Sequence, residues 1–481
     1  MQRTLRILVY AFVSLIVGLF AFRAVGFLLV PYQIDYGEGT VLSMVSLLKE
    51  FHTYFFPLSG PPFFHGVYPP TMPLLAYALS QLFGIGMLSL RLISTISILL
   101  LFYFVFRILS KIHKERIWLA ALISSFIFLS EFVQEWGSLG RIEPLAALFA
   151  VLGLYLFQSE MPKAKFWAFP VFALSAFTKQ NSVCAVIAVF VFQLIADRKD
   201  FLRSLCLFLG SVAILYLSLH LFTGGESTRH LFQYLGADGF QWSRGFIGFS
   251  MIREQLGALI VLNLIGLTAL RKFQRQSPNI IYFYYFIFAL GSTLCYGRLG
   301  ANTNYFIEPV VAAVLCFGFS AAILEDLTVE WEAFAVAIRS AIFVCMALFV
   351  FVELPKAYRL PSAHRFNTSS RERLYEMVRE APGKVLLEDV TSGILGGKTF
   401  YIDPYAFIGF ARTGIWDGSS VVQECKSKGF SLIVAKFRIP QLPGMKSCLK
   451  SNYEVDSHLA GFTIYVPASQ PRADVEAEDT E

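Results

Sequence analysis

Charge is what this chain lacks. Asp, Glu, Lys and Arg make up only 15% of its 481 residues, against 56% hydrophobic, where an average soluble domain is about 25% charged. That poverty excludes a soluble globular domain, a nucleic-acid binder and a disordered hub. Metal-binding cysteine patterns are missing as well. The seven cysteines, at 184, 206, 295, 316, 345, 425 and 448, include no CxxC and no close Cys/His cluster. Five lie in apolar runs and read as small apolar fillers. Cys425 and Cys448 fall in the polar C-terminal part and can pair if it sits in an oxidising compartment. No internal repeat or low-complexity tract is evident. A small-x-small cleavage site is absent after the first apolar run, which continues to about residue 30. It therefore reads as a retained membrane helix and not as a signal peptide.

Long hydrophobic runs are what the chain has. About 20 apolar residues cross a bilayer core. Eleven crossings are expected, at roughly 7–30, 87–107, 117–134, 143–159, 166–178, 182–196, 204–222, 252–270, 279–297, 304–324 and 333–354. The 16% of aromatic residues suits a lipid-facing surface with interfacial anchors. Arg3 and Arg6, Arg107–Arg116, Lys163 and Lys165, Arg198–Arg203 and Arg271–Arg275 are short basic loops and should all be cytoplasmic. They share one side only if the short stretch 71–84 is interfacial or re-entrant and does not cross. Residues 31–86, 135–142, 178–182, 223–251, 297–303 and everything after about 355 then face outward.

The expected fold is thus a polytopic α-helical membrane protein. Its membrane domain covers 1–355, a small outer α/β domain 356–470, and a disordered acidic tail 471–481. Within the outer domain, 385–387, 399–402 and 430–434 read as strands, and 371–378 and 405–412 as helices.

Ionisable residues at membrane helix ends are costly and usually face a cavity or a partner. Here they gather on the outer side. Asp35 and Glu38, three residues apart, lie on one side of a helical turn. One can serve as a general base toward an acceptor hydroxyl or amine; the plainer alternative is a helix start, where acids complement the dipole. Arg141 and Glu143 precede Pro144 at another helix start. They suit ion pairing, binding of a charged group, or simple N-terminal chemistry. Lys179 can snorkel to the interface or hold a lipid phosphate as a point charge. In the loop Tyr296–Pro309, Arg298 and backbone amides can surround a phosphate. Asn304 and Tyr305 of that loop are candidate substrate contacts, and an ordinary turn with an interfacial tyrosine is the alternative. His65 and Tyr68, before the Pro-rich Pro69-Pro70, are also candidate substrate contacts. A metal role for His65 lacks a second ligand at ligand spacing. Around 226–244, Trp242 and Tyr234 beside Arg229, Arg244 and Asp238 suit either stacking and hydrogen bonding of a sugar or an interfacial belt.

Taken together, Asp35 and Glu38 after the first helix, Tyr68-Pro69-Pro70, Arg91-Leu92-Ile93-Ser94, Gly140-Arg141-Ile142-Glu143, Phe177-Thr178-Lys179-Gln180 and Asn304–Pro309 resemble GT-C glycosyltransferases. The likeness is to the bacterial branch related to protein O-mannosyltransferases and the lipid A aminoarabinose transferase, over roughly 1–325. The resemblance implies a sugar donor carried on a polyprenyl phosphate and an extracytoplasmic acceptor that is a glycolipid, a polysaccharide or a protein. It implies Asp35 as base or acceptor-positioning residue with Glu38 in support, Glu143 at the family's second acidic position, and Lys179 and Arg298 on the lipid phosphate. It also implies inversion at the anomeric carbon, a divalent metal in some members but not others, and a bacterial inner membrane with the site facing the periplasm. Rival classes are a carrier or flippase of a lipid-linked saccharide, a glycan polymerase or ligase of another membrane fold, and a non-catalytic scaffold. Transporters place charges near the bilayer midplane and often show internal repeats, and neither feature is seen here.

Overall fold

The structure is a computed structural model. It describes residues 2–196, 198–236, 239–273, 277–330 and 368–469, with scattered positions between 340 and 355. The expected crossing at 333–354, Asp238 and the tail 471–481 fall outside the described residues, wholly or for the most part.

The chain is a helical bundle carrying a small sheet domain. Among the described residues, six helices are long and apolar enough to cross a membrane: Arg3–Leu28, Met87–Ile112, Arg198–Phe222, Trp242–Leu267, Pro278–Gly297 and Thr303–Leu324. At 1.5 Å per residue, 20 residues already span about 30 Å. Burial sorts these helices. Thr303–Leu324 is 89% buried in the bundle and forms its axis, whereas only 6% of Arg198–Phe222 is buried, as a lipid-facing flank requires. The expected crossings at 143–159, 166–178 and 182–196 appear as the helices Glu143–Phe157, Pro162–Ala176 and Cys184–Ala196, which pack among the long ones but, at 15, 15 and 13 residues, are shorter than a straight crossing takes.

The expected crossing at 117–134 is not one helix. It runs as an α-helix over Ile117–Ser125, a 3-10 turn over Phe126–Leu129 and a short helix over Glu131–Trp136. Such a break is tolerated at membrane depth only where side chains satisfy the freed backbone. Here Gln134 donates to the Phe128 carbonyl at 2.6 Å; Ser130 Oγ donates to Gln255 Oε1 at 2.7 Å, a bond between side chains. The whole segment Phe126–Leu129 is buried.

Tyr36–Phe51 and Thr71–Phe83 form two short helices between the first and second long ones. Asp35 caps the first in a capping box with Glu38, so the local role expected of two acids at a helix start is present. Thr71–Phe83 has 13 residues, about 20 Å of helix, too short to cross.

Among the described residues the sheet domain has four strands in the order β1-β2-β4-β3: β1 Val385–Leu387, β2 Leu432–Ala435, β3 Tyr453–Leu459 and β4 Phe462–Pro467. β1 and β2 are parallel, with Val385 opposite Leu432, and β4 is antiparallel to both of its neighbours. Helices Thr368–Glu380 and Pro404–Thr413 fall where expected. The segment 399–402, expected as a strand, does not join the sheet. Its backbone bonds instead to the loop between the first and second long helices: Phe63 donates to Tyr401 at 2.9 Å and Asp403 donates to Phe63 at 2.8 Å. Phe63 thereby enters the domain core against Phe407 and Trp416. Cys425 and Cys448 are disulfide-bonded, joining the helices Ser419–Lys426 and Met445–Asn452.

Candidate active site

One buried ion pair assembles the site. Arg91, on Met87–Ile112, spends all five guanidinium hydrogens. Nε and Nη2 donate to the two oxygens of Glu38 at 2.7 and 2.8 Å. The other three go to the carbonyls of Phe27, Val30 and Tyr32, at the end of the first helix and just beyond it. Glu38 also accepts from the backbone of Gly140 at 2.7 Å and of Ile34 at 2.8 Å. Both side chains are fully buried. Burial alone would raise the Glu38 pKa, but Arg91 and the backbone donors hold it below the usual range. The loops at 30–38 and 139–141 are thus locked to one another. Glu38 faces this lock and takes no place in the cavity wall.

From the lock a chain of alternating charges runs along the helix ends. Asp35 Oδ2 accepts from Arg141 Nη1 at 2.9 Å. Arg141 Nε lies 3.5 Å from Glu143, and Glu143 lies 3.1 Å from Lys179 Nζ. Asn304 donates to Glu143 at 2.6 Å, and the Lys179 ammonium sits 3.5 Å from the centre of the Tyr305 ring. Gly37 makes the first link possible: a Cβ there would lie 1.1 Å from Arg141 Nη1.

The chain edges a cavity of about 460 Å³, within the usual range for small-molecule sites. Its wall takes Asp35, Tyr68, Arg141, Lys179, Arg298 and Tyr305 from the membrane domain and Asp403 and Tyr405 from the sheet domain. Asp35 keeps a fifth of its side chain exposed there. Its pKa is raised by burial, an effect the Arg141 charge only partly offsets. A second carboxylate, Asp403, accepts from the Tyr36 hydroxyl and from the amide of Tyr405, capping its own helix. Arg298 reaches back to the Leu235 carbonyl, and its loop is stitched to 239–241 by Leu299 donating to Gly239 at 3.2 Å and Gln241 donating to Gly297 at 2.8 Å.

Of the residues expected from sequence, Asp35, His65, Tyr68, Arg141, Lys179, Arg298 and Tyr305 share this wall. Glu143 and Asn304 stand behind it, holding Lys179 and Arg141. Arg244 is elsewhere, donating to the Ala301 carbonyl at 3.2 Å and lying over Tyr296. Asp403, Tyr405 and the Arg91 lock were not singled out as site features. Asp403-Pro404 does carry a helix-start signature, but only the fold brings it to this cavity. Among the described residues no three His, Cys, Asp or Glu side chains group at metal-holding distance. The described residues therefore offer no cage for the divalent ion that some GT-C members use.

The structure as a whole is similar to ArnT from Cupriavidus metallidurans bound to undecaprenyl phosphate, with TM-score 0.66, 12% identity, and 96% of this chain and 98% of that one covered. The apo ArnT structure gives TM-score 0.62 over 96% of this chain and 99% of that one, at 12% identity. This chain has the GT-C fold. The Archaeoglobus fulgidus oligosaccharyltransferase tethered to an acceptor peptide is a more distant match, with TM-score 0.53, 12% identity, and 95% and 74% of the two chains covered. In sequence, residues 67–222 match the family model described as dolichyl-phosphate-mannose-protein mannosyltransferase. No curated protein matches the chain in sequence.

Proposed function

We propose that this protein is an integral-membrane glycosyltransferase that moves a sugar from a polyprenyl-phosphate donor to an acceptor at the outer membrane face. The observation that carries the reading is one cavity wall holding a partly exposed carboxylate, Asp35, together with the cations Lys179 and Arg298. The mannosyltransferase-family match over 67–222 and the similarity to ArnT bound to undecaprenyl phosphate support a lipid-phosphate donor.

The roles follow from charge. A sugar phosphodiester carries one negative charge. When the acceptor oxygen bonds to the anomeric carbon, the sugar–oxygen bond breaks and its electron pair stays on the phosphate. The leaving lipid phosphate therefore gains negative charge, and fixed cations stabilise that gain more than they stabilise the bound donor. Lys179, held by Glu143 and Tyr305, and Arg298, held by Leu235, are pre-positioned for this. Asp35 takes the acceptor proton; its raised pKa makes it a better base than an exposed aspartate. Its Oδ2 is committed to Arg141 and the Gly37 amide, which leaves Oδ1 for the acceptor. Attack from the face opposite the phosphate inverts the anomeric carbon.

In this reading the outer side is the periplasmic face of a bacterial inner membrane. The basic loops support that orientation, and the Cys425–Cys448 disulfide suits an oxidising compartment. The test uses protein in lipid with a radiolabelled polyprenyl-phosphate-sugar pool from its own membranes. A transferase releases or transfers the label as free lipid phosphate accumulates. Label that crosses vesicles with its phosphate bond intact would establish a carrier instead.

A further inference from the structure

His65 and His230 form a buried pair whose protonation is fixed by their neighbours. His230 Nε2 lies 2.8 Å from the Phe56 carbonyl, which only accepts, so Nε2 carries the proton. His230 Nδ1 accepts from the Gly66 amide at 3.1 Å, so it carries none. His65 Nδ1 lies 3.0 Å from that same His230 Nδ1. Two lone pairs facing each other would repel, so His65 Nδ1 is the donor. His65 is then the Nδ1–H tautomer, and its Nε2 bears a lone pair. That atom has no partner among the described residues and is not among the sealed polar atoms. His65 itself is 3% exposed and lies on the cavity wall, pressed by Phe410 of the sheet domain.

We propose that His65 Nε2 is a fixed hydrogen-bond acceptor that reads a hydroxyl of the donor sugar. This rests on the glycosyltransferase reading above. A lone pair repels a phosphate oxygen and accepts from a hydroxyl, so the partner is the sugar and not the lipid phosphate. The sugar lies next to its phosphate, and His65 lies within reach of the Arg298 charge, which places it at the sugar end of the donor. Burial and that charge both keep His65 neutral, with its pKa well below the ordinary range. His230 is held near 4 by burial, so the pair keeps its lone pair across the neutral range. His65 binds and orients, and the proton of the reaction goes to Asp35.

The test compares two probes on wild type, His65→Phe and His65→Gln: undecaprenyl phosphate alone and the polyprenyl-phosphate-sugar pool. Phenylalanine keeps the ring and removes the lone pair, whereas glutamine keeps an acceptor. The expected result for His65→Phe is about tenfold weaker binding of the sugar-bearing pool, one hydrogen bond's worth. Undecaprenyl phosphate binding is unchanged, and His65→Gln recovers part of the loss. Equal loss for both probes would make His65 merely structural and overturn the proposal, as would no loss for either. Nitrogen-15 histidine spectra of wild type supply a check that needs no variant, since a proton on His65 Nε2 overturns the proposal directly. Failure of wild type to bind the sugar-bearing pool while it binds undecaprenyl phosphate refutes the donor reading and this inference together. The pattern in the variants separates the two failures.

Discussion

Glu38→Ala tests whether the carboxylate three residues after Asp35 holds the site together or takes part in chemistry. The substitution removes both oxygens that Arg91 Nε and Nη2 meet at 2.7 and 2.8 Å. It also strands the amides of Gly140 and Ile34. Leaving one member of a buried ion pair costs about 3–5 kcal/mol. Each stranded buried amide costs about 1–3 kcal/mol when nothing relaxes. These losses share one location and do not add fully, so about 4–5 kcal/mol is the expected cost. The assay is thermal melting of detergent-purified protein followed by intrinsic fluorescence, with monodispersity as a second readout. A fall on the order of 5 °C or more is expected, together with loss of donor binding, because the loops at 30–38 and 139–141 are no longer tied. Glu38→Gln, which keeps one acceptor, should fall between wild type and alanine. A Glu38→Ala protein that melts like wild type but has lost turnover would refute the structural assignment and return Glu38 to the chemistry.

Gly37→Ala should leave the fold intact but push Arg141 off Asp35, because its Cβ would lie 1.1 Å from Arg141 Nη1. The expected outcome is a loss of turnover without a comparable loss in melting temperature, read from both assays on one preparation. Arg298→Gln should weaken undecaprenyl phosphate binding by tenfold or more, one charge-assisted hydrogen bond's worth of about 1.5–3 kcal/mol; titration at two salt concentrations should show a smaller salt dependence than wild type. In the sheet domain, burial raises the Asp389 pKa to about 6. A raised acid contributes stability that is full below its unfolded pKa of about 3.9 and lost as pH rises through about 6. Asp389→Asn should therefore stabilise the domain at pH 7.5 by up to about 3 kcal/mol, read as a higher melting temperature, and show little gain near pH 4.

The six long crossings were legible because length and apolarity decide them, whereas the breaks and short helices among the other expected crossings were not; the helix starts at Asp35 and Glu143 were legible because capping chemistry is local. Non-local pairing was not legible. Nothing near Arg91 in sequence announces that it meets Glu38, 53 positions away. The same holds for Asp403, 367 residues from its partner Tyr36, which only the docking of the sheet domain brings to the cavity. The segment 399–402 shows the limit from another side. Its β-prone residues make the expected extended backbone, but their partner is Phe63 of the loop after the first long helix and not a neighbouring strand. The hairpin Tyr453–Pro467 was missed because charged and polar residues on its exposed face blur the alternation. Arg244 was grouped with the site by its loop and its sign, yet it spends its guanidinium on the Ala301 carbonyl.

The most direct test of the central claim is single-turnover transfer from the polyprenyl-phosphate-sugar pool by wild type and Asp35→Asn, over a range of pH. Asparagine still caps the helix at Gly37, so melting temperature and undecaprenyl phosphate binding should be retained. Loss of the base should slow transfer about 100- to 10,000-fold. The wild-type rate should climb with pH through a value above the ordinary aspartate range, as the raised Asp35 pKa requires, and that climb should vanish in the variant. Equal rates and equal pH profiles in the two proteins would contradict the account.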